Sequence, residues 1–159
     1  MTNEQIQMIV FKLGDAEFAV PITQAVRIVR LSSAVTRVPR APDFLEGVIN
    51  VEGNIVPLVD LNKRFALPVL PYGPKARIII VETEGQQVGM LVNRVCEIAS
   101  LPAASVEPPP AMLADINGVY LSGIIRLDDQ LLILLNLSTV LTLEEIEELE
   151  NVGPEDLSA

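Results

Sequence analysis

The residues of this sequence that could do chemistry are carboxylates and one thiol, because the 159-residue chain contains no histidine. Ser-His-Asp and Cys-His nucleophile pairs and the common zinc sites need an imidazole or several thiolates. The glycine-rich phosphate loops and the Gly-x-Ser-x-Gly elbow of esterases do not occur in the sequence either. The sequence therefore gives no support to an enzyme and predicts no metal or cofactor.

The carboxylates that stand out are better explained by local structure than by catalysis. Asp128 and Asp129 stand at a predicted hairpin tip, where Asp is a common turn residue. Asp60 follows an apolar strand and aligns with Asn136 in the internal repeat described below. A hydrogen bond to nearby backbone groups explains both of these residues.

The single cysteine, the first residues and the absence of a long apolar run indicate a cytoplasmic protein. Cys96 has Val95 and Ile98 as apolar neighbours, which favours a small buried side chain over a reactive thiolate. A free thiol suits a reducing compartment. The first residues form no basic signal region, and no apolar run approaches the length of a membrane span. We therefore expect neither secretion nor direct insertion into a membrane.

Charge is distributed unevenly along the chain, whose net charge is −10. Residues 142–159 contain seven acids and no base, so residues 1–141 have a net charge of −3. Between Glu17 and Asp43 the charged residues are four arginines, Arg27, Arg30, Arg37 and Arg40. This basic segment is either a solvated face or a docking patch. Nucleic acid is not an expected partner, because the chain is acidic and its aromatic residues do not cluster with the arginines.

Short apolar segments separated by turn residues predict an all-β body with the look of a small barrel or sandwich. Two proline-rich segments, 66–74 and 101–110, are predicted to be extended connections. The predicted strands are Met8–Leu13, Phe18–Pro21, Val26–Leu31, Gly47–Val51, Ile55–Asp60, Arg77–Thr83, Val88–Asn93 and Leu131–Leu135.

One longer helix is predicted, over residues 142–152 near the C-terminus. Thr142 and Glu145 form a capping box, and Gly153-Pro154 ends the helix. Its apolar edge is narrow, since it consists of Ile146 and Leu149. The acidic helix is therefore either a solvated cap on a barrel or an element that tunes a partner.

An internal repeat organises the chain. Gly47–Leu61 aligns without gaps to Gly123–Leu137, with matching glycine, turn and apolar positions. A weaker match pairs Ala19–Val26 with Val88–Val95. Repeated units of this kind predict two similar barrels, approximately 7–65 and 75–136, joined by a crossover at 66–74.

The segment FLEGVINVEGNIVPLVDL at 44–61 resembles the chemotaxis coupling proteins, the CheW family, and the resemblance extends to VGMLVNRV at 88–95 and LLILLNL at 131–137. It implies one domain over 1–159, all-β with a C-terminal helix, built from two SH3-like five-stranded barrels. It also implies a non-catalytic adaptor, without cofactors, at membrane-associated receptor arrays. The implied partners are chemoreceptor tip helices, the regulatory domain of a CheA-type histidine kinase and further CheW-like domains.

The resemblance also implies which residues meet the partners. The receptor-groove candidates are Val26, Ile28, Glu52, Val92 and Asn93. The family hairpin typically reads Asn-Leu-Arg-Gly, whereas this chain has an acid, Glu52, in place of the arginine. Such a reversal predicts repulsion from a receptor acid at that point. A scaffold or inhibitor that binds the kinase or another adaptor, but no receptor, is therefore the alternative function.

The resemblance implies a kinase contact at Met112 and Leu113, which follow three prolines. An apolar pair after a proline run is more often a lid over its own barrel than an exposed contact. Gly47, Gly53 and Gly123 are interpreted as glycines that the backbone requires and not as contacts.

Overall fold

The computed structural model of the protein describes residues 4–31, 35–65, 67, 71–83, 85–108, 121–127 and 130–137. Within these ranges the chain forms eleven strands, one short α-helix and two single 3-10 turns. The strands are β1 (Gln5–Leu13), β2 (Ala16–Pro21), β3 (Ala25–Arg30), β4 (Leu45–Val51), β5 (Asn54–Asp60), β6 (Arg77–Thr83), β7 (Gln86–Val92), β8 (Arg94–Pro102), β9 (Val106–Glu107), β10 (Leu121–Leu127) and β11 (Gln130–Leu135), and the helix is α1 (Leu61–Arg64).

These strands form two sheets of matching order. The first sheet runs β8-β1-β2-β11-β10-β9, and the second runs β3-β6-β7-β5-β4. Each contains one parallel pair, β11 with β2 and β5 with β7. The all-β, SH3-like prediction is confirmed, and the sixth strand of the first sheet, β9, is only two residues long. The predicted helix at 142–152 lies outside the described residues.

Both faces of each sheet are covered by apolar side chains. Ile79 of β6 and Ile9 of β1 belong to one buried cluster that the two sheets share, which we call the inter-sheet core. Their neighbours Ile78 and Met8 belong to separate clusters on the outer faces of the second and first sheets. Alternate residues of a strand point to opposite faces, so a strand buried on both sides reads as an unbroken apolar run. This explains why residues 78–81 show no alternation of apolar and polar residues.

The internal repeat corresponds to the matching strand order, but its weaker half shifts by one residue. Leu58 and Leu134, which align in the stronger repeat, pair with Gly89 and Ala19 across the two parallel ladders. Ala19 therefore corresponds to Gly89, and its predicted alignment with Val88 is off by one. Side chains alternate between faces, so a shift of one residue exchanges the core face for the other face.

The two sheets exchange strands. β2 is followed in the chain by β3, which belongs to the second sheet, while β7 is followed by β8, which belongs to the first. β3 completes its sheet by pairing with β6, and β8 does so by pairing with β1. Strand pairing consequently does not divide the chain at the 66–74 crossover into 7–65 and 75–136. The first sheet takes β1 and β2 from one side of that crossover and β8 to β11 from the other.

The two repeat glycines lie where another backbone passes close by. A Cβ atom on Gly47 would be 2.2 Å from the carbonyl oxygen of Thr36, and one on Gly123 would be 2.9 Å from that of Glu107. Each glycine also marks an irregularity in the register of its hairpin. The missing side chain therefore lets a neighbouring segment pair at a bulge.

Gly53 is required for a different reason. It occupies the tip of the β4–β5 hairpin with φ 89°, a conformation that costs a residue with a side chain. Its N–H donates to Oδ1 of Asn50 at 2.8 Å. No heavy atom lies within 4 Å of the place a Cβ would take. The backbone angle, and not crowding, is what favours glycine here.

Candidate partner-binding surface

Two exposed apolar side chains lie on β3, an edge strand of the second sheet, one at a register irregularity and one in the regular ladder. Val26 is 47% exposed and Ile28 is 37% exposed, and Arg30 at the end of the strand is exposed as well. In contrast, Val29 packs against the outer cluster of the second sheet. We call Val26, Ile28 and Arg30 the β3 stripe. Two apolar side chains and one cation on an edge strand form a surface that a partner could cover.

The acidic residue of the β4–β5 hairpin is not free to face a partner alone, because it pairs with an arginine of β3. Nη1 of Arg27 lies 2.8 Å from Oε1 of Glu52, and both side chains are well exposed. The hydrogen bond from Arg27, reinforced by its charge, lowers the pKa of the Glu52 carboxyl. An exposed pair is screened by solvent and contributes little to stability.

The same ion pair reports on the shape of the second sheet. β3 is the first strand of that sheet, and the β4–β5 hairpin is at its other end. Contact between Arg27 and Glu52 therefore requires the sheet to curl until its two edges approach each other. Val29 of β3 and Val56 of β5 also share one apolar cluster. A curled sheet with side chains filling its interior is the geometry of a small barrel.

Two exposed isoleucines lie on the faces that the sheets turn towards each other. Ile28 pairs with Ile79, and Ile98 of β8 pairs with Ile9. Residues directly opposite on neighbouring strands point to the same face, and both partners belong to the inter-sheet core. Ile28 and Ile98, 37% and 56% exposed, therefore border that core from the two sheets.

A second pair of exposed apolar residues is related by the repeat. Ile55 is the second residue of β5 and is 41% exposed, while Leu131 is the second residue of β11 and is 62% exposed. By the alternation along each strand they share a face with Val59 and Leu135, which belong to the inter-sheet core. Sequence reasoning missed both residues as surface candidates. The signal was present, since they occupy equivalent positions in the stronger repeat.

The predicted groove residues Val92 and Asn93 do not contribute an exposed side chain of this kind. Val92 is fully buried in the inter-sheet core, so it cannot touch a docked partner and is corrected to a core residue. Oδ1 of Asn93 accepts the backbone N–H of Gly14 and Nδ2 of Asn62, each at 2.8 Å. The amide of Asn93 thereby joins the β1–β2 hairpin to helix α1.

A buried polar cluster continues from this amide to Asp60. Oδ1 of Asp60 accepts the backbone N–H groups of Asn62 and Lys63 at 2.9 and 3.3 Å, which caps helix α1. It also accepts the hydroxyl of Tyr72 at 2.5 Å. The local backbone bond predicted for Asp60 is therefore present. Burial, together with the Asp60 hydrogen bond, raises the pKa of Tyr72 well above its ordinary value.

Metal-ligating side chains and the thiol can be located within the described residues. They contain no group of three or more His, Cys, Asp or Glu side chains that could hold a metal ion. Cys96 is partly buried, and burial followed by the charge of Glu17 raises the pKa of its thiol. A raised pKa opposes formation of the reactive thiolate. Within the same part of the chain, no helix is long and apolar enough to cross a membrane.

Comparison with known sequences places the chain in a known family. The sequence model of the CheW-like domain matches residues 7–145. The chain belongs to the CheW-like family. This CheW-like chain is 32% identical over 147 residues to the chemotaxis protein CheW of Klebsiella aerogenes, covering 92% of this chain and 88% of that protein. It is 33% identical over 144 residues to the chemotaxis protein CheW of Helicobacter pylori, covering 91% and 82%.

A solved structure of a CheW-like protein has the same fold. The scaffolding protein TtCheW from Thermoanaerobacter tengcongensis superposes with a TM-score of 0.81 at 32% sequence identity, covering 89% of this chain and 96% of that one. Among the predicted CheW-like contacts, Val26 and Ile28 lie exposed on β3, and Glu52 is held near that strand by its ion pair with Arg27. The predicted kinase contacts Met112 and Leu113 lie outside the described residues.

Proposed function

We propose that this chain is a non-catalytic adaptor that couples the cytoplasmic tips of chemoreceptors to a CheA-type histidine kinase. In this function it works in the cytoplasm, where receptor arrays recruit it to the membrane. The observation that carries the proposal is the pattern of exposed apolar side chains bordering the inter-sheet core in a chain of the CheW-like family. Receptor helices would dock between the two barrels and cover those side chains.

Several observations support docking at this place. Ile28, Ile55, Ile98 and Leu131 border one shared core from both sheets. An amphipathic helix binds such a groove through apolar side chains spaced along one of its faces. The relatives are named chemotaxis proteins, and the solved neighbour is named a scaffolding protein.

The kinase contact is proposed for a second surface that includes Met112 and Leu113. This assignment rests on resemblance to the family. The proposal extends to association of each barrel with a similar barrel, from the kinase or from another CheW-like chain, and the matching order of the two sheets within this chain supports it.

Replacing one groove residue by an acid tests the receptor side. We expect Ile28→Glu to weaken co-sedimentation with the receptor tip domain at least about tenfold, equivalent to about 1.4 kcal/mol, because a charge would be buried in an apolar contact. Leu127→Glu is the matched control, since Leu127 is 36% exposed against 37% for Ile28. Leu127 shares its face with Ile125, which belongs to the outer cluster of the first sheet. Equal binding by the two variants would contradict the groove.

The alternative function, a scaffold that binds the kinase or a homologous adaptor but no receptor, rests on the acid Glu52 at the tip of the β4–β5 hairpin, and its ion pair with Arg27 reduces the repulsion that this acid would cause. In the family this hairpin typically carries an arginine. Glu52→Arg alone reverses the charge at the hairpin tip and removes the ion pair with Arg27. The double variant Arg27→Glu with Glu52→Arg also reverses the charge at the tip but keeps an ion pair between the two positions. If neither variant alters receptor or kinase binding, charge at the hairpin has no part in recognition. Kinase binding without any receptor binding by the parent chain would establish the alternative.

A further inference from the structure

We propose that the acidic C-terminal segment of this chain, residues 142–159, docks on the β3 stripe and competes with the partner that binds there. The identity of that competitor rests on the proposed function, whereas the docking itself does not. The segment contains seven acids and no base, which makes it the most acidic part of the chain.

The described chain ends beside the start of β3. Leu137 is fully buried, and its backbone N–H donates to Oε1 of Gln24 at 2.9 Å. Gln24 comes immediately before Ala25, the first residue of β3. Every residue after Leu137 is therefore tethered at the end of β3 that carries Val26.

The tether is long enough to bring the acids to any point on the strand. β3 has six residues. At about 3.3 Å per residue, its first and last Cα atoms are about 17 Å apart. Residues 138–143, extended, span up to about 20 Å. The first acid of the segment, Glu144, can consequently lie over the far end of the stripe.

The far end of the stripe carries an excess of positive charge. Arg30 stands directly opposite Arg77 in the β3–β6 ladder, and like charges in opposite positions destabilise a pair of strands. Among the described residues the ion pairs join other groups. Nη1 of Arg77 donates to the backbone carbonyls of Pro74 and Ala76. A carboxylate placed between the two guanidinium groups would remove the repulsion.

The stripe and the segment also match in their apolar residues. From the tethered end, the stripe presents Val26, then Ile28, then Arg30. The segment places Ile146 and Leu149 among glutamates. Apolar side chains can therefore cover the two exposed aliphatic residues while neighbouring carboxylates reach Arg30. The favoured occupant is the chain's own segment, because tethering keeps its effective concentration high.

A spin label on the full-length chain tests the docking without any partner. The label is attached through Ser158→Cys in a Cys96→Ser background, and paramagnetic broadening is measured for the backbone amides of the ¹⁵N-labelled protein. We expect the amides of residues 25–30 to lose more than about half of their intensity, since this effect reaches only nearby groups, and 1 M salt should restore them. Unbroadened amides throughout β3 would overturn the proposal.

Charge variants establish what holds the segment. Replacing the glutamates of residues 144–150 by glutamine should abolish the broadening. Arg30→Gln should reduce it, and Arg37→Gln is the control of equal charge change away from the stripe. Equal effects of the two arginine variants would contradict docking at the stripe and leave only a general attraction between acidic and basic parts of the chain.

Competition is measured by titrating the receptor tip domain into the parent and the glutamine variant. A segment docked in about 80% of molecules lowers the apparent affinity about fivefold, so we expect the variant to bind about fivefold more tightly. Unchanged affinity despite docking would overturn the competition. Docking without receptor binding to either protein would refute the proposed function and leave the docking established.

Discussion

Replacing Gly47 by alanine should destabilise this protein severely, because the new Cβ would meet a backbone atom. The carbonyl oxygen of Thr36 would be 2.2 Å away, and a backbone group cannot swing aside as a flexible side chain does. Thr36 and Val48 exchange two backbone hydrogen bonds, of 2.9 and 2.8 Å, and moving Thr36 away breaks both. Overpacking costs about 1–3 kcal/mol and each lost hydrogen bond about 1 kcal/mol, which together give about 3–5 kcal/mol.

Two further glycines provide a graded comparison. At Gly123 the nearest atoms to a Cβ would be a side-chain methyl of Val106 at 2.8 Å and the carbonyl oxygen of Glu107 at 2.9 Å. Because these distances are longer, we expect Gly123→Ala to cost about 1–3 kcal/mol. At Gly53 nothing lies within 4 Å, so the positive φ alone makes Gly53→Ala cost about 1–2 kcal/mol.

Urea unfolding followed by far-ultraviolet circular dichroism measures the three differences, since the chain contains no tryptophan for fluorescence. We expect the order of destabilisation Gly47, Gly123, Gly53, with unchanged dependence of the unfolding free energy on urea. For a chain of this size the Gly47 variant should melt about 9–15 °C lower than the parent. A Gly47 variant as stable as the Gly53 variant would refute the close approach of Thr36.

Three other outcomes are expected. Tyr72→Phe should lower the free energy of unfolding by about 1.5–3 kcal/mol, because the hydroxyl donates to the buried carboxylate of Asp60; a change within the error of the urea titration would exclude that bond. The pKa of Glu52 is lowered in the folded state, so the ion pair contributes to folding stability above the ordinary carboxyl pKa, and this contribution is lost as the pH falls through the folded value. A carbon-detected NMR titration should find a higher Glu52 pKa in Arg27→Gln. An identical titration midpoint in the two proteins would contradict the pairing. Cys96 should react with a thiol reagent at pH 8 more slowly than free cysteine, since burial raises its pKa; reaction at the free rate would argue against that burial.

Features determined by neighbouring residues could be predicted from the sequence. The hairpins around Gly53 and the two repeat glycines follow from turn chemistry and from the repeat. The capping role of Asp60 involves backbone groups two and three residues away. Such features depend on short-range geometry that residue type and spacing specify.

Features determined by strand partners could not be predicted in the same way. Apolar patterns identify β3 as a strand but miss β8, and they do not reveal that each of these strands pairs in the sheet of the other half. Val92 lies in a strand buried on both faces, where alternation no longer separates core from surface. The pairing of Arg27 with Glu52 depends on the curling of the second sheet, which no local pattern encodes. Ile55 and Leu131 could have been predicted as a related pair from the sequence, because they occupy equivalent positions in the stronger repeat.

The exchange of β3 and β8 makes the two barrels mechanically inseparable. Each barrel is completed by an edge strand that is covalently continuous with the other barrel, so rotating one barrel against the other would pull a strand out of its ladder. No flexible linker sits between β7 and β8, which are separated by Asn93 alone. The groove along the border of the inter-sheet core is therefore formed by two barrels that also share one buried core. A ligand bound in that groove would move the two barrels together and not one against the other. We also expect the chain to unfold in one cooperative step.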